Sequence, residues 1–411
     1  MYRIDSATLI PGSGAPIPDA TVLLDEGVIA YAGPTARLPA DAPSQADATV
    51  PYLMPGMWDV HCHLAGVRTW TMQQMLVTPT ATAAARAAKD AEAALQAGFT
   101  SLRETGGLGV WLAPVIDEGT IAGPTVYAAG AVLSPTGGHA DIHELPHDWV
   151  GNHPLSSQYL LTADGVDECL RAVRLQLRNN ARVIKICASG GVASTVDHPV
   201  HQQFSPAEMR AIVEEAARAD RIVMAHCHGK PGIMAALEAG VHTIEHGSYV
   251  DEEAARAMRE ADAVLVPTRT IVQRMLDGKE SLPVTTYEKV VALADRHLES
   301  IAIAHAAGVT IAAGTDVGTS GAGTFLPWGA NGTEPALLQQ AGLTALEAIE
   351  AVTANGPLTL GPQAPKSGRL QAGYDADLIA LSADPITDTT VLADPQNITH
   401  VWKNGRLAKA L

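Results

Sequence analysis

The chain has 411 residues, 47% of them hydrophobic and 17% charged, with a formal net charge of −17. That length fits one large domain plus a smaller one, with apolar residues enough for a large core. The acidity argues against nucleic acid and against an anionic membrane surface, since both call for basic patches that this sequence lacks.

The N-terminal stretch lacks the long apolar core of a signal peptide, and no run approaches the roughly 20 apolar residues of a membrane span. Four cysteines make no disulfide framework, and none stands in a Cys-x-x-Cys pair. Cys62, Cys187 and Cys227 lie in or at the ends of apolar strand-like runs, so the expectation is buried free thiols in a reducing, cytoplasmic setting.

Residues 1–54 read as short strands and turns, with β-rich runs at 20–25 and 28–32 separated by Glu26-Gly27. The other end is similar, with strand-like runs at 377–381 and 398–403 and a turn at Asn404-Gly405. The two ends are therefore expected to form one small β-sandwich domain, residues 1–54 and 365–411.

At residue 55 the pattern changes. The apolar stretch that follows ends in His61-Cys62-His63. On a strand, alternate side chains share a face, so both imidazoles point one way and can meet one metal ion. Residues 81–96 are strong helix formers closed by Gly98, and 99–104 is a strand. A helix at 166–180 feeds the strand 183–187. Ser205-Pro206-Ala207-Glu208 is a capping box that opens a helix to about residue 219, before the strand 222–227. A helix at 233–239, a strand at 241–246, a helix at 252–260, a strand at 263–267, a helix at 287–307 and a strand at 309–314 complete the series. About eight βα units with apolar strands predict an α/β fold, a (β/α)8 TIM barrel over residues 55–364. An open doubly wound sheet is the second choice, but no Gly-x-Gly-x-x-Gly turn follows a strand.

In such a barrel the site forms where strands end. The polar residues at the ends of these apolar strands are His61 and His63, Glu104, Lys185, His226 and His228, His246, and Asp316. Imidazoles and a carboxylate suit zinc or a similar divalent ion. Lys185 fits less easily, because an ammonium repels a cation; on its own it reads as a salt-bridged or snorkelling lysine.

Five motifs resolve this together. They are His61-Cys62-His63 after Pro55-Gly56-Met57-Trp58-Asp59, Lys185 before Ile186-Cys187-Ala188-Ser189-Gly190-Gly191, Ala225-His226, Ile244-Glu245-His246-Gly247, and Ala313-Gly314-Thr315-Asp316. In combination the chain resembles the amidohydrolase superfamily, and within it the imidazolonepropionase- and prolidase-like metal-dependent hydrolases. The resemblance implies two divalent ions, zinc by preference. His61, His63 and Asp316 would hold the more buried one and His226 and His246 the other. Lys185, carboxylated by CO2, would bridge them together with a hydroxide that attacks the scissile carbonyl. Asp316 would also carry a proton to the leaving nitrogen. The resemblance gives His228 the task of polarising the substrate carbonyl, or else of supporting the ligands from behind. His139, in Thr136-Gly137-Gly138-His139, would contact a substrate carboxylate unless it is an ordinary solvated loop residue.

The implied function is a metal-dependent amidohydrolase cleaving an amide or peptide bond of a small molecule such as a dipeptide or N-acyl amino acid. The alternatives are a cyclic-amide hydrolase and an amidase for aromatic toxin-type N-acyl amino acids such as ochratoxin; a catalytically silent barrel is the reading from a different class. Arg68 and Arg269 are candidates for gripping a free carboxylate. His143, His147, His153, His198 and His201 read as loop residues near the mouth. A homo-oligomer is compatible with the sequence.

Overall fold

The computed structural model describes residues 1–69, 71–152 and 156–410. The chain opens with β1 (Tyr2–Leu9), β2 (Ile17–Asp25), β3 (Val28–Pro34) and β4 (Ala48–Pro55). Glu26 and Gly27, at φ 46° and 85°, make the two-residue turn between β2 and β3, a geometry whose twist matches that of the flanking strands.

Next comes β5 (Met57–Val67), eleven residues of which ten are buried. It is followed by β6 (Phe99–Glu104), β7 (Thr125–Ala128), β8 (Val132–Ser134) and β9 (Leu160–Thr162). Then come β10 (Ile184–Cys187), β11 (Val223–Cys227), β12 (Thr243–His246), β13 (Val264–Val266) and β14 (Val317–Thr319). All of these pair in parallel, in one sheet ordered β14-β5-β6-β7 and another ordered β13-β12-β11-β10-β8-β9. Continuous apolar strands are what burial on both faces requires. The fold is thus mixed α/β with parallel sheets.

Backbone hydrogen bonds cross both gaps between the two sheets. Arg182 N donates to Ala128 O at 2.8 Å on one side. On the other, residues 310–316 lie between β13 and β5: Leu265 N donates to Thr310 O at 2.9 Å, and Val60 N to Ala313 O at 3.0 Å. The strand expected at 309–314 is therefore only a bridge, Leu265 to Ile311, and ladder pairing resumes at β14 with a shift of register between Val317 and Thr319. Its ladder is broken because Ala313 N turns to Ala351 O, at the end of the helix Ala345–Ala351.

The helices expected from periodicity are present as Thr80–Gln96, Gly165–Arg178, Pro206–Ala217, Lys230–Glu238, Glu252–Glu260 and Val284–Ala306. Ser205 and Glu208 close both halves of the capping box. The helices Met72–Val77 and Arg269–Asp277, which line the cavity, and Gly109–Asp117, which follows β6, were not expected. Among the described residues no helix is long and apolar enough to cross a membrane.

The chain ends in β15 (Leu378–Leu381), β16 (Ile398–Lys403) and β17 (Arg406–Ala410). These join the first four strands in a single seven-stranded sheet, ordered β17-β16-β15-β4-β1-β2-β3, around Ile4, Leu9, Val22, Leu53, Leu378 and Trp402. A separate core of Trp58, Val60, Tyr127, Met224, Val264 and Val266 packs between the parallel strands, with Trp58 stacked on Tyr127 at 5.3 Å. It fills the space beneath the strand ends, so polar side chains gather at the other end.

Candidate metal centre

The strand ends turn sharply. His246, Thr268 and Asp316 have φ of 69°, 55° and 63°, a left-handed conformation that costs a non-glycine residue roughly 1–2 kcal/mol. Backbone bonds hold it: Asp316 N donates to His61 O at 2.7 Å and Gly247 N to Cys227 O at 2.9 Å. Strain kept in this way belongs to places where side-chain direction matters.

Two groups of ligand atoms result, His226 with His228 and His246, and His61 with His246 and Asp316; within each, the atoms lie within 4.8 Å of one another. His63 Nε2 is 3.1 Å from Asp316 Oδ1, and His61 Nε2 is 3.6 Å from the same oxygen. Lys185 Nζ stands 3.5 Å from His61 Nε2. The six expected ligands therefore converge, and His228 joins them.

Most of the imidazoles are held at Nδ1. His61 Nδ1 meets Glu245 Oε2 at 2.7 Å, His63 Nδ1 meets Gly106 O at 2.8 Å, and His246 Nδ1 meets Thr268 Oγ1 at 2.7 Å. His228 Nδ1 meets Ser248 Oγ at 2.7 Å. A partner on one ring nitrogen orients the other as a ligand. His226 differs, since its Nε2 lies 3.2 Å from Gly190 O and leaves Nδ1 free.

Burial lowers the imidazole pKa of His61 to about 4 and those of His226, His228 and His246 well below the usual value. The shift favours the neutral ring, the form a metal-binding imidazole needs. Burial likewise lowers Lys185, pushing it toward the free amine. Burial would raise Asp316, but the neighbouring His61 and His63 outweigh it and hold the carboxyl below its ordinary range. For His63, burial lowers the ring's pKa and Asp316 more than offsets it. Neutral imidazoles beside an anionic carboxylate form a donor set that fits a divalent cation.

The supporting residues escaped the sequence reading. Arg103 and Glu245 are both 0% exposed, and Arg103 Nη2 donates to Glu245 Oε1 and Oε2 at 2.7 and 2.8 Å. Asp59, also fully buried, accepts from His61 N, Thr315 N, Thr315 Oγ1 and Asn331 Nδ2, which ties β5 to the segment bearing Asp316. Glu334 accepts from Arg269 N and Thr270 N, fixing the helix that follows Thr268. A charged residue inside an otherwise apolar strand is the signal that Arg103 and Glu245 carried.

A cavity of about 210 Å³ opens over the centre. His139 and His143 line it, as do Val67, Met72, Met75, Val132, Ile271 and Met275. His139 Nδ1 lies 2.8 Å from Ser194 Oγ, and its ring stacks on His226 at 4.1 Å. Neither arginine candidate is there. Arg68 is exposed outside the cavity, while Arg269 is buried and donates to Ala294 O at 2.8 Å. Glu104 also faces away, accepting from Gly109 N at 3.4 Å. His147 opens the short helix His147–Asn152 and does not line the cavity; nor do His198 and His201, whose rings pair at 5.2 Å. His153 lies outside the described residues.

Residues 52–408 match the amidohydrolase family. The chain is 44% identical over 421 residues to ochratoxinase from Aspergillus niger, covering 99% of this chain and 86% of that one. The crystal structure of A. niger ochratoxinase aligns with a TM-score of 0.92 at 43% identity, over 100% of this chain and 96% of that chain. A prolidase complexed with N-methylphosphonate-L-proline aligns at 0.89 with 31% identity, over 100% of both. Imidazolonepropionase from Salinispora tropica is 27% identical over 390 residues, covering 89% of this chain and 86% of that one.

Proposed function

This chain belongs to the amidohydrolase family and is a hydrolase of carbon–nitrogen bonds; from that premise we propose that it cleaves the amide of N-acyl amino acids whose acyl group is large, apolar and aromatic, in the manner of ochratoxin. The carrying observation is the cavity itself, with apolar walls above a floor of histidines and Asp316. Such walls favour an aromatic body, and the polar floor favours one amide within it. The likeness to A. niger ochratoxinase supports the same choice. An Xaa-Pro-type dipeptide is the second reading, supported by the likeness to the prolidase.

Two divalent ions, zinc by donor chemistry, fit this centre. His61, His63 and Asp316 would hold one, and His226 with His246 the other. Bound there, they would supply a water whose pKa falls to about 7 and a Lewis acid for the carbonyl. Lys185, 3% exposed and pushed toward the free amine, is suited to attack CO2. Its nitrogen forms the C–N bond, one proton leaves, and an anionic carbamate remains between the two ligand groups.

In the reaction, Asp316 accepts the proton of the attacking water and passes it to the departing nitrogen. His228, with Ser248 on Nδ1, donates from Nε2 to the carbonyl oxygen as charge develops there. His139 meets the substrate carboxylate; among the described residues no arginine lines the cavity to do so.

The proposal includes a closed barrel over residues 55–364, for which the hydrogen bonds at both sheet edges are the support. It includes a second, sandwich-like domain from residues 1–54 and 365–411, supported by the shared terminal sheet and its own apolar cluster. Four buried free thiols suit a reducing, cytoplasmic setting. The partner is a small molecule, and the net charge of −17 keeps nucleic acid and anionic membranes outside the proposal.

The test is a panel of ochratoxin, N-aroyl amino acids and Xaa-Pro dipeptides assayed with metal-loaded protein. The highest kcat/KM is expected on the aromatic N-acyl amino acids. Turnover confined to dipeptides would replace this reading with the second.

A further inference from the structure

The helix Val284–Ala306 and the loop 191–197 form facing walls of the cavity, through Thr286 and Val290 on one side and Val192 to Thr195 on the other. One side chain joins them. Lys289 Nζ donates to Gly191 O at 3.2 Å, Ser194 O at 2.8 Å and Asp197 O at 2.8 Å, three carbonyls of a single loop. The three bonded atoms are carbonyl oxygens, so the ammonium gathers the loop through its hydrogen bonds, while the nearby Asp197 carboxylate favours its charge. Three donors around a compact charge suit carbonyls that converge from three directions.

The loop in turn holds His139. Asp197 accepts from Gly191 N at 2.9 Å, from Gln203 Nε2 at 3.1 Å and from the Ser194 hydroxyl. Ser194 Oγ stands 2.8 Å from His139 Nδ1, and Gln203 Oε1 accepts from His139 N at 3.0 Å. The packing is close: a Cβ on Gly191 would lie 2.1 Å from atoms of the His139 ring. Gly190, at the start of the same turn, puts its carbonyl 3.2 Å from His226 Nε2.

We infer that Lys289 is a positioning residue: it closes the 191–197 loop against the helix and, through Ser194 and Asp197, sets the His139 ring against the substrate. This rests on the proposed role of His139. A loop free to leave the helix would lose its three charged-donor bonds and, with them, the acceptor that orients His139.

Lys289→Met keeps an unbranched stem and removes the ammonium. Hydrogen–deuterium exchange of the 190–198 amides should rise roughly tenfold or more, since hydrogen bonds to a charged group are lost. Metal content should be unchanged. Ochratoxin kcat/KM should fall about tenfold, whereas in a His139→Ala background the same substitution should change it less than about twofold, because the two residues act in one chain. Lys289→Gln, with two donors left, should fall between the parent and Lys289→Met, and takes its place where that variant does not fold. Unchanged exchange would overturn the loop closure. Equal losses in both backgrounds, or a silent His139→Ala, would overturn the positioning role. A parent enzyme inactive on ochratoxin would instead remove the proposed substrate, with the exchange experiment still deciding whether Lys289 holds the loop.

Discussion

Glu245→Gln isolates what the buried carboxylate does for the centre. Its Oε1 accepts from Arg103 Nη2 and the Thr243 hydroxyl, and its Oε2 accepts from Arg103 Nη2 and His61 Nδ1. Each oxygen meets two donors, so either orientation of a glutamine amide sets its NH2 against Arg103. The less costly flip puts NH2 toward Thr243, whose hydroxyl can turn and accept. His61 then keeps an acceptor, but the Arg103 guanidinium, 0% exposed, loses its counter-charge.

Removing one partner of a buried ion pair costs about 3–5 kcal/mol. With roughly 2.1 cal/mol/K of unfolding entropy per residue over 411 residues, the unfolding midpoint should drop by about 3–6 °C. Metal affinity should fall too, by about 10–100-fold, as expected when a ligand's orienting carboxylate is weakened. Calorimetry on metal-stripped protein measures the first effect, and competition with a chromogenic chelator the second. The paired change Arg103→Met with Glu245→Met should recover much of the stability, because no buried charge is stranded. It should not recover the affinity, because a methionine at 245 leaves His61 Nδ1 without its acceptor. A Glu245→Gln midpoint within about 1 °C of the parent would refute the ion-pair argument.

Elemental analysis should find about two divalent ions per chain, with turnover abolished by chelation and restored by added metal; full turnover with well under one ion would exclude the binuclear reading. Lys185→Ala should lose much of the affinity for the second ion, and Lys185→Arg should do no better because a guanidinium stays protonated; turnover and metal stoichiometry measured together are the check. Asp316→Asn, with metal content verified, should cut amide hydrolysis by about 10²–10⁴ while comparatively sparing a matched ester with a good leaving group. Equal losses on both substrates would mean that Asp316 does not shuttle the proton.

The residues that converge at the centre were legible because each is a local anomaly. A histidine, lysine or aspartate ending an apolar strand stands out without knowledge of its neighbours, and six such residues on one series of strands narrow the chemistry. The helices carried by periodicity and a capping box, such as Pro206–Ala217, were equally local. What the sequence withheld depends on register. Arg103 and Glu245 are 142 residues apart, and their contact follows only once β6 and β12 face the same interior. Arg269 looked like a strand-end cation, but β13 stops at Val266 and the left-handed Thr268 intervenes, so the guanidinium turns beneath the neighbouring helix. Gly109–Asp117 was hidden by its glycine start and by Pro114 within it. The eighth strand position was misjudged because Ala313 finds a helix end in place of a ladder.

The buried acids divide by what opposes them. Burial raises Asp59 to about 6 and Glu104 and Glu334 each to about 7; hydroxyl and amide donors only partly offset it at Asp59 and Glu334, and His63 with backbone amides only partly at Glu104. They hold backbone turns, a task that a carboxyl performs through its acceptor oxygens. For Glu245, burial also pushes upward, but Arg103 and His61 overcome it and hold the carboxyl at about 2. A firmly charged acid is therefore kept for the residue that orients His61. Asp316 is likewise held below its ordinary range, by His61 and His63, and it faces the cavity. A proton acceptor must begin ionised, and an acid held by amides and hydroxyls alone would, at this depth, begin partly protonated near neutral pH. For the proton transfer proposed above, placing Asp316 between two histidines keeps an ionised acceptor at the cavity floor.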